Sequence, residues 1–452
     1  MFFRVYVYIG LNLLLACRSR PSIPVIPDTV TYHQHIAPIL AQSCVSCHRH
    51  DGVAPFPLDN YTYASRKGKT ILNVIQSGYM PPWPADTSYS HFIGEKTISD
   101  FEKKLITKWI ETGLQEGEKS NEEYTEKATI VSRRKADTVI YFKNTFKIKG
   151  DNRDKFLLMK IPLQFPPNTY SQAIEFVPDN KKLIHHVNTH LIYYDHNKKN
   201  NIYAGIDYLD HEGLSGNSKD YHTQLGILHD DGSYPLLAPS VCNYLPGMES
   251  VFYPDDIGGF ALPERGAFYL NDLHYGPSTK DTLDNSYFKI YYAKNKPKRP
   301  LKEFQIGTLG KSPVRPPLII PANEIDTFTI DYILPDTISL LSIIPHMHLL
   351  GSYFEAYAIL QNNKKIPLIR IPKWNFRWQY VYTFPTIKVL PKGTQIHVIG
   401  IFDNTENNPL NPHHPPQIII EREGSMRTTD EMFQFLLLYI DYHRGDENKK
   451  LD

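Results

Sequence analysis

The chain has 452 residues, with 49 Lys+Arg against 48 Asp+Glu and a formal net charge of +1. At roughly 100–200 residues per domain that length allows two or three domains. A balanced charge with no long basic run argues against nucleic acid as a partner.

The first predicted element is a targeting segment, residues 1–17. Arg4 supplies a positive start, Val5 to Ala16 is an apolar stretch too short to span a bilayer, and Leu14-Leu15-Ala16-Cys17 resembles a bacterial lipobox. The reading is an exported protein whose Cys17 takes a lipid and anchors it to the membrane, facing the periplasm or the cell surface. An ordinary secretory signal with an incidental cysteine is the alternative. The chain has 4 cysteines. Cys17 is assigned to the lipid, Cys44 and Cys47 share one motif, and Cys242 has no partner. Disulfides therefore do not hold the fold.

Residues 28–118 come next. Ser43-Cys44-Val45-Ser46-Cys47-His48 carries the C-x-x-C-H spacing of covalent c-type haem attachment. Two thiols three apart reach the two vinyl groups, and His48 presents an imidazole to the iron. Met80, ahead of Pro81 and Pro82, resembles the distal-ligand loop of small cytochromes c, with His50 and His91 as rival ligands. Ser99 to Gly113 shows helical spacing after a serine cap. Together these predict a small all-α cytochrome c domain with one covalently bound haem c. The charged stretch 119–136 reads as a linker.

From residue 137 onward the pattern turns to short strands and turns, in keeping with 30 Tyr and 22 Phe in the whole chain. Four histidine or methionine stretches stand out: Ile184-His185-His186-Val187, Leu273-His274-Tyr275-Gly276, Pro345-His346-Met347-His348 and Asp430-Glu431-Met432. On a strand, residues two apart share a face, so His346 and His348 project together. His185 and His186 are adjacent and would point oppositely, unless a bulge or strand end intervenes. The remaining histidines read as surface or structural; His190, on the same segment as the pair, is the one to watch.

The order His-His, His-Tyr-Gly, His-x-His, Asp-Glu-Met resembles the copper type II, ascorbate-dependent monooxygenases, the family of the peptidylglycine α-hydroxylating and dopamine β-hydroxylating enzymes. Pro372 to Gln379, Leu390 to Thr394 and Phe402 to Thr405 add to the likeness, and the bacterial members of that family can carry a cytochrome c domain in front. The resemblance implies two all-β sandwiches of jelly-roll type, over 137–298 and 299–445, facing across a solvent-filled cleft with two copper ions. His185, His186 and His274 would hold the electron-transfer copper. His346, His348 and Met432 would hold the copper where dioxygen is activated; a thioether there favours Cu(I).

The implied activity is hydroxylation of a C–H bond of a small molecule with O2. Electrons would come from an ascorbate-like reductant or a redox protein and enter through the fused haem. The pattern also departs from the peptide-amidating members. Ile344 stands where they carry an arginine for a peptide carboxylate, and Gln434 and Leu436 replace their Asn and Tyr. A carboxylate substrate loses its bidentate partner, which points to an apolar or neutral small molecule. A non-catalytic haem and copper electron-transfer or copper-handling lipoprotein is the alternative class.

Overall fold

In the computed structural model the described residues are 25–119, 134–142, 145–210, 217–248, 250–254, 256–257, 259–421 and 429–451. The targeting segment with Cys17, and most of the expected linker, lie outside them. Among the described residues no helix is long and apolar enough to cross a membrane.

The structure is mostly β, with 36% strand and 12% helix. The first sandwich packs a three-stranded sheet (Thr138–Tyr141, Tyr287–Tyr292, Ser171–Val177) on a five-stranded one. The larger sheet holds, in order, Tyr208–Asp210, Lys155–Leu163, β2 (Gly266–Tyr275), β1 (Ile184–Tyr193) and Leu236–Tyr244. The second sandwich packs a four-stranded sheet (Lys302–Gly307, β4 Phe433–Asp441, β3 Ile338–Met347, Tyr382–Leu390) on a five-stranded one centred on Gln395–Asp403.

β3 and β4 explain how the sandwiches join. Both are near-continuous apolar runs and buried almost throughout, the pattern of strands covered on both faces. Ile343, Phe433, Phe435 and Leu437 turn into the core of their own sandwich. Leu341, Ile344, Leu436 and Leu438 turn the other way and join the core of the first sandwich. One apolar seam therefore runs through both, and the histidines at the end of β3 stand where that seam opens.

The expected all-α domain over 28–118 is not what the chain forms. Its helices are short: α1 (Ala37–Ser43), α2 (Tyr61–Arg66), α3 (Gly68–Gln76) and α4 (Asp100–Glu111). They close a small core around Trp109, Ile106 and Ile36. Ser99 caps α4 in a reciprocal pair with Glu102. The physical reason for the departure lies in residues 79–98. Pro81, Pro82 and Pro84 forbid helix there, so the segment runs irregularly and leaves the helices for the second sandwich. Ala85 and Phe92 enter that sandwich's core, Arg370 clamps Asp86 at 2.6 Å, and the Ile93 N–H donates to Thr383 O at 2.8 Å. The segment is a helical cluster with a strap, and it is not an independent helical domain.

Candidate metal centres and the cavity between the sandwiches

His346 lies at the end of β3 and His348 one residue past it, and their rings meet edge to face with centroids 5.0 Å apart. The Gln379 amide N–H donates to Phe376 O at 3.0 Å, which turns its oxygen to the Nδ1 of His346. An amide oxygen only accepts, so the His346 proton is assigned to Nδ1. Likewise the His348 Nδ1–H donates to the Asp430 carbonyl at 2.6 Å. Both Nε2 atoms are then lone-pair bearers, and they face each other at 3.2 Å. Burial, with His348 alongside, pushes His346 down to about 3, so a shared proton is disfavoured near neutrality. Two converging imidazole lone pairs without a proton between them suit a cation.

Met432 immediately precedes β4. The β3–β4 ladder pairs His346 with Gln434 and ends with Met347 and Phe433, so His348 and Met432 both lie one residue beyond its last pair. Met432 is buried, as a soft ligand or a packed thioether would be. Sequence reasoning passed over the residue that joins these two segments. Glu431, only 2% exposed, accepts from the N–H of His348 at 3.0 Å and of Leu350 at 2.7 Å. It staples the Met432 segment to the turn after β3. Burial pushes its carboxyl up to about 8, against the pull of those backbone donors.

The second constellation sits on the first sandwich. The β1–β2 ladder slips between Ile184 and His186. That irregularity lets adjacent histidines approach one neighbour: the His185 and His186 rings lie 4.7 and 4.9 Å from the ring of His274. The His274 Nε2 pairs with Asp154 Oδ1 at 2.7 Å, while its Nδ1 is buried without a partner. The His186 Nε2–H donates to Asp272 Oδ2 at 2.6 Å. Burial and the neighbouring His186 push His274 down to about 4. Among the described residues, Asp154, His185 and His274 each offer a ligand atom, all within 4.8 Å of one another. Sequence reasoning named His185, His186 and His274 together and missed Asp154; Phe156, two residues further on, pairs with His274 only once the sheet is assembled. The Phe376 ring lies 6.2 Å from His186 and 5.6 Å from His348, so one benzyl group spans the interval between the two constellations.

Between them opens a cavity of about 580 Å³, bordered by His186, His346, His348, Ile344, Gln434 and Leu436 among others. The three positions that depart from the peptide-amidating pattern thus all border one space. Among the described residues no Lys or Arg borders it.

Cys44, Cys47 and His48 form one turn, in which the N–H groups of Cys47 and His48 both donate to Cys44 O. Both cysteines are free thiols, and burial with Cys47 nearby pushes Cys44 up to about 12. The His48 Nδ1–H donates to Phe56 O at 2.9 Å, which leaves Nε2 to face a ligand. The residues present therefore suit a haem. Met80 lies in the bend after α3, its N–H on Val74 O at 3.1 Å. Rival His91 pairs instead with Glu95 at 3.1 Å. Cys242 is a buried thiol directed at Ile174 O at 3.5 Å.

No family model matches the chain, and no curated protein matches it. Among solved structures, the infectious bursal disease virus Gt strain is similar at 10% identity and a TM-score of 0.16, covering 70% of this chain and 75% of that one. The VP2 subviral particle of that virus gives 9%, 0.16, 68% and 77% in the same order. Allantoicase gives 11%, 0.15, 60% and 80%. Likeness this slight carries no argument.

Proposed function

We propose that the protein is a copper-dependent monooxygenase that hydroxylates a C–H bond of a neutral small molecule, with electrons supplied through a haem attached at Cys44 and Cys47. The observation that carries this reading is the pair of Nε2 lone pairs of His346 and His348. They converge at 3.2 Å with both Nδ1 protons committed elsewhere.

His346, His348 and Met432 would hold one copper, and His185, His186 and His274 the other, with Asp154 as a further oxygen donor on the first sandwich. When bound, the coppers would supply the one-electron chemistry that splits dioxygen between the substrate carbon and water. The chain's own residues do the rest. Gln379, the Asp430 carbonyl and Asp272 fix which ring nitrogen of each histidine is offered, which also raises its basicity. Glu431 sets the spacing between the histidine turn and Met432. Ile344 and Leu436 make an apolar flank that sheds water next to His346. The absence of a guanidinium at Ile344 selects against a carboxylate substrate.

Export and lipid attachment at Cys17 belong to the same proposal. The test is the copper-to-haem-iron ratio of protein matured with haem and loaded with copper, followed by oxygen uptake on a substrate panel. A ratio near two with uptake supports the reading. A ratio near zero sinks it, and a ratio near one points to electron transfer or copper handling.

A further inference from the structure

The cavity between the sandwiches extends beyond what the proposed copper ligands need, and its wall on the first sandwich is polar in an unusual way. β1 turns His186, Asn188 and His190 to one face at intervals of two. Asn243 stands across from Asn188 and Tyr269 across from His190; Asn271 borders the same space. The Oδ1 atoms of Asn188, Asn243 and Asn271 and the Nδ1 of His190 are buried and have no hydrogen-bond partner among the described residues. Buried polar atoms in native proteins are bonded in the great majority of cases. Four residues that each carry such an unbonded atom border a single cavity, where a ligand's hydroxyl groups could pair with their side chains.

The chemistry of that wall selects the ligand. A carboxamide offers donors and acceptors side by side, which matches hydroxyl groups that do both. Charge finds little counterpart: among the described residues no Lys or Arg borders the cavity, and Asp272, the one carboxylate among them, is held by His186. Burial pushes His190 down to about 3 and His222 to about 4, so both imidazoles are neutral near pH 7. His222 in turn bonds the Tyr269 hydroxyl at 3.1 Å and the Tyr234 hydroxyl at 3.4 Å. The rings of Tyr234, Tyr244 and Phe376 also border the space and offer flat faces to C–H groups.

We infer that the cavity binds a neutral polyhydroxylated molecule, a carbohydrate of mono- or disaccharide size. Its hydroxyls lie on Asn188, Asn243, Asn271 and His190. The part of the inference that aims one of its carbons at His346 and His348 rests on the monooxygenase reading. The recognition itself does not.

The test is saturation-transfer NMR followed by calorimetry on the full chain, with methyl β-D-glucoside and cellobiose as neutral probes and D-glucuronate and D-glucosamine as charged ones. Binding of a neutral sugar is expected, with charged relatives at least tenfold weaker. Asn188→Leu and His190→Phe, each checked for folding by circular dichroism, should each lower affinity at least tenfold. Two variants are used so that one misfolded protein leaves the other to decide. No binding by either neutral sugar, equal or tighter binding of a charged one, or unchanged affinity in the folded variants overturns the inference. Copper content is measured on the same samples. Two coppers without sugar binding removes this inference and leaves the function standing; sugar binding without copper does the reverse.

Discussion

Gly276→Ala separates folding from metal binding. Gly276 follows β2, and its N–H donates to Leu183 O at 2.7 Å. A Cβ at this position falls 2.5 Å from His185 Nε2 and 2.6 Å from its Cε1, where ordinary contact begins at 3.4 Å. The imidazole must therefore retreat by roughly 1 Å. Metal–ligand distances tolerate shifts of only about 0.2 Å, so the retreat removes His185 from any ion it shares with His274. Disturbing a ligand's orientation costs on the order of 10–100-fold in metal affinity, or about 1.4–2.8 kcal/mol.

The fold itself should scarcely notice. His185 is an exposed side chain whose ring can swing outward, so the change in stability should stay within about 0.5 kcal/mol. The assay is a copper titration against a competing chelator, paired with urea unfolding of copper-free protein. One of two sites is expected to weaken while the site at His346 and His348 keeps its affinity. Wild-type affinity at both sites would refute the placement of His185. Equal weakening of both sites, or a large loss of stability, would refute the claim that the effect is local.

Asp446→Asn should destabilise the protein by about 3–5 kcal/mol in urea. Asp446 holds the buried Arg299 through contacts at 2.5 and 3.1 Å and accepts from Ser339 at 2.6 Å. Although burial opposes it, these bonds hold its carboxyl below the usual range. Its contribution is thus full above the unfolded value of about 3.9 and lost as pH falls through the folded one, so the gap to the variant should close in acid. Glu431→Ala orphans the N–H groups of His348 and Leu350. A loss of about 1–3 kcal/mol per donor, with weakened copper at His346 and His348 only, is expected in the same two assays. Gly247→Ala should cut covalent haem several-fold by mass spectrometry, because Gly247 has φ +78° and a Cβ there would collide with the Cys47 sulfur.

The β-sandwiches were legible because alternation and β-branched runs report directly on which faces are covered. So was the shared face of His346 and His348, which follows from a period of two alone. The neighbours that give those histidines their chemistry were not. Asp154, Asp272, Gln379 and Glu431 reach them across strands or through turns, and register is decided only when whole sheets pair. The slip beside His185 is of the same kind: the sequence posed the geometric need for it, and the β1–β2 pairing supplies it. The helical domain was misjudged because α4 and its cap are locally encoded, whereas the course of 79–98 is decided by where Ala85 and Phe92 find a core.

That strap separates order along the chain from order in space. The N-terminal segment precedes the first sandwich in sequence, yet Asp86 and Arg370, Ile93 and Thr383, and the Tyr380 hydroxyl on Pro82 O at 2.7 Å bind it to the second. A chain severed between residues 119 and 134 would therefore keep its two pieces together without the covalent connection. The thiol-bearing piece could equally be made as a separate polypeptide and dock in place. Coexpression of the two fragments as independent chains should yield one complex with the thiol turn still seated beside Gly247.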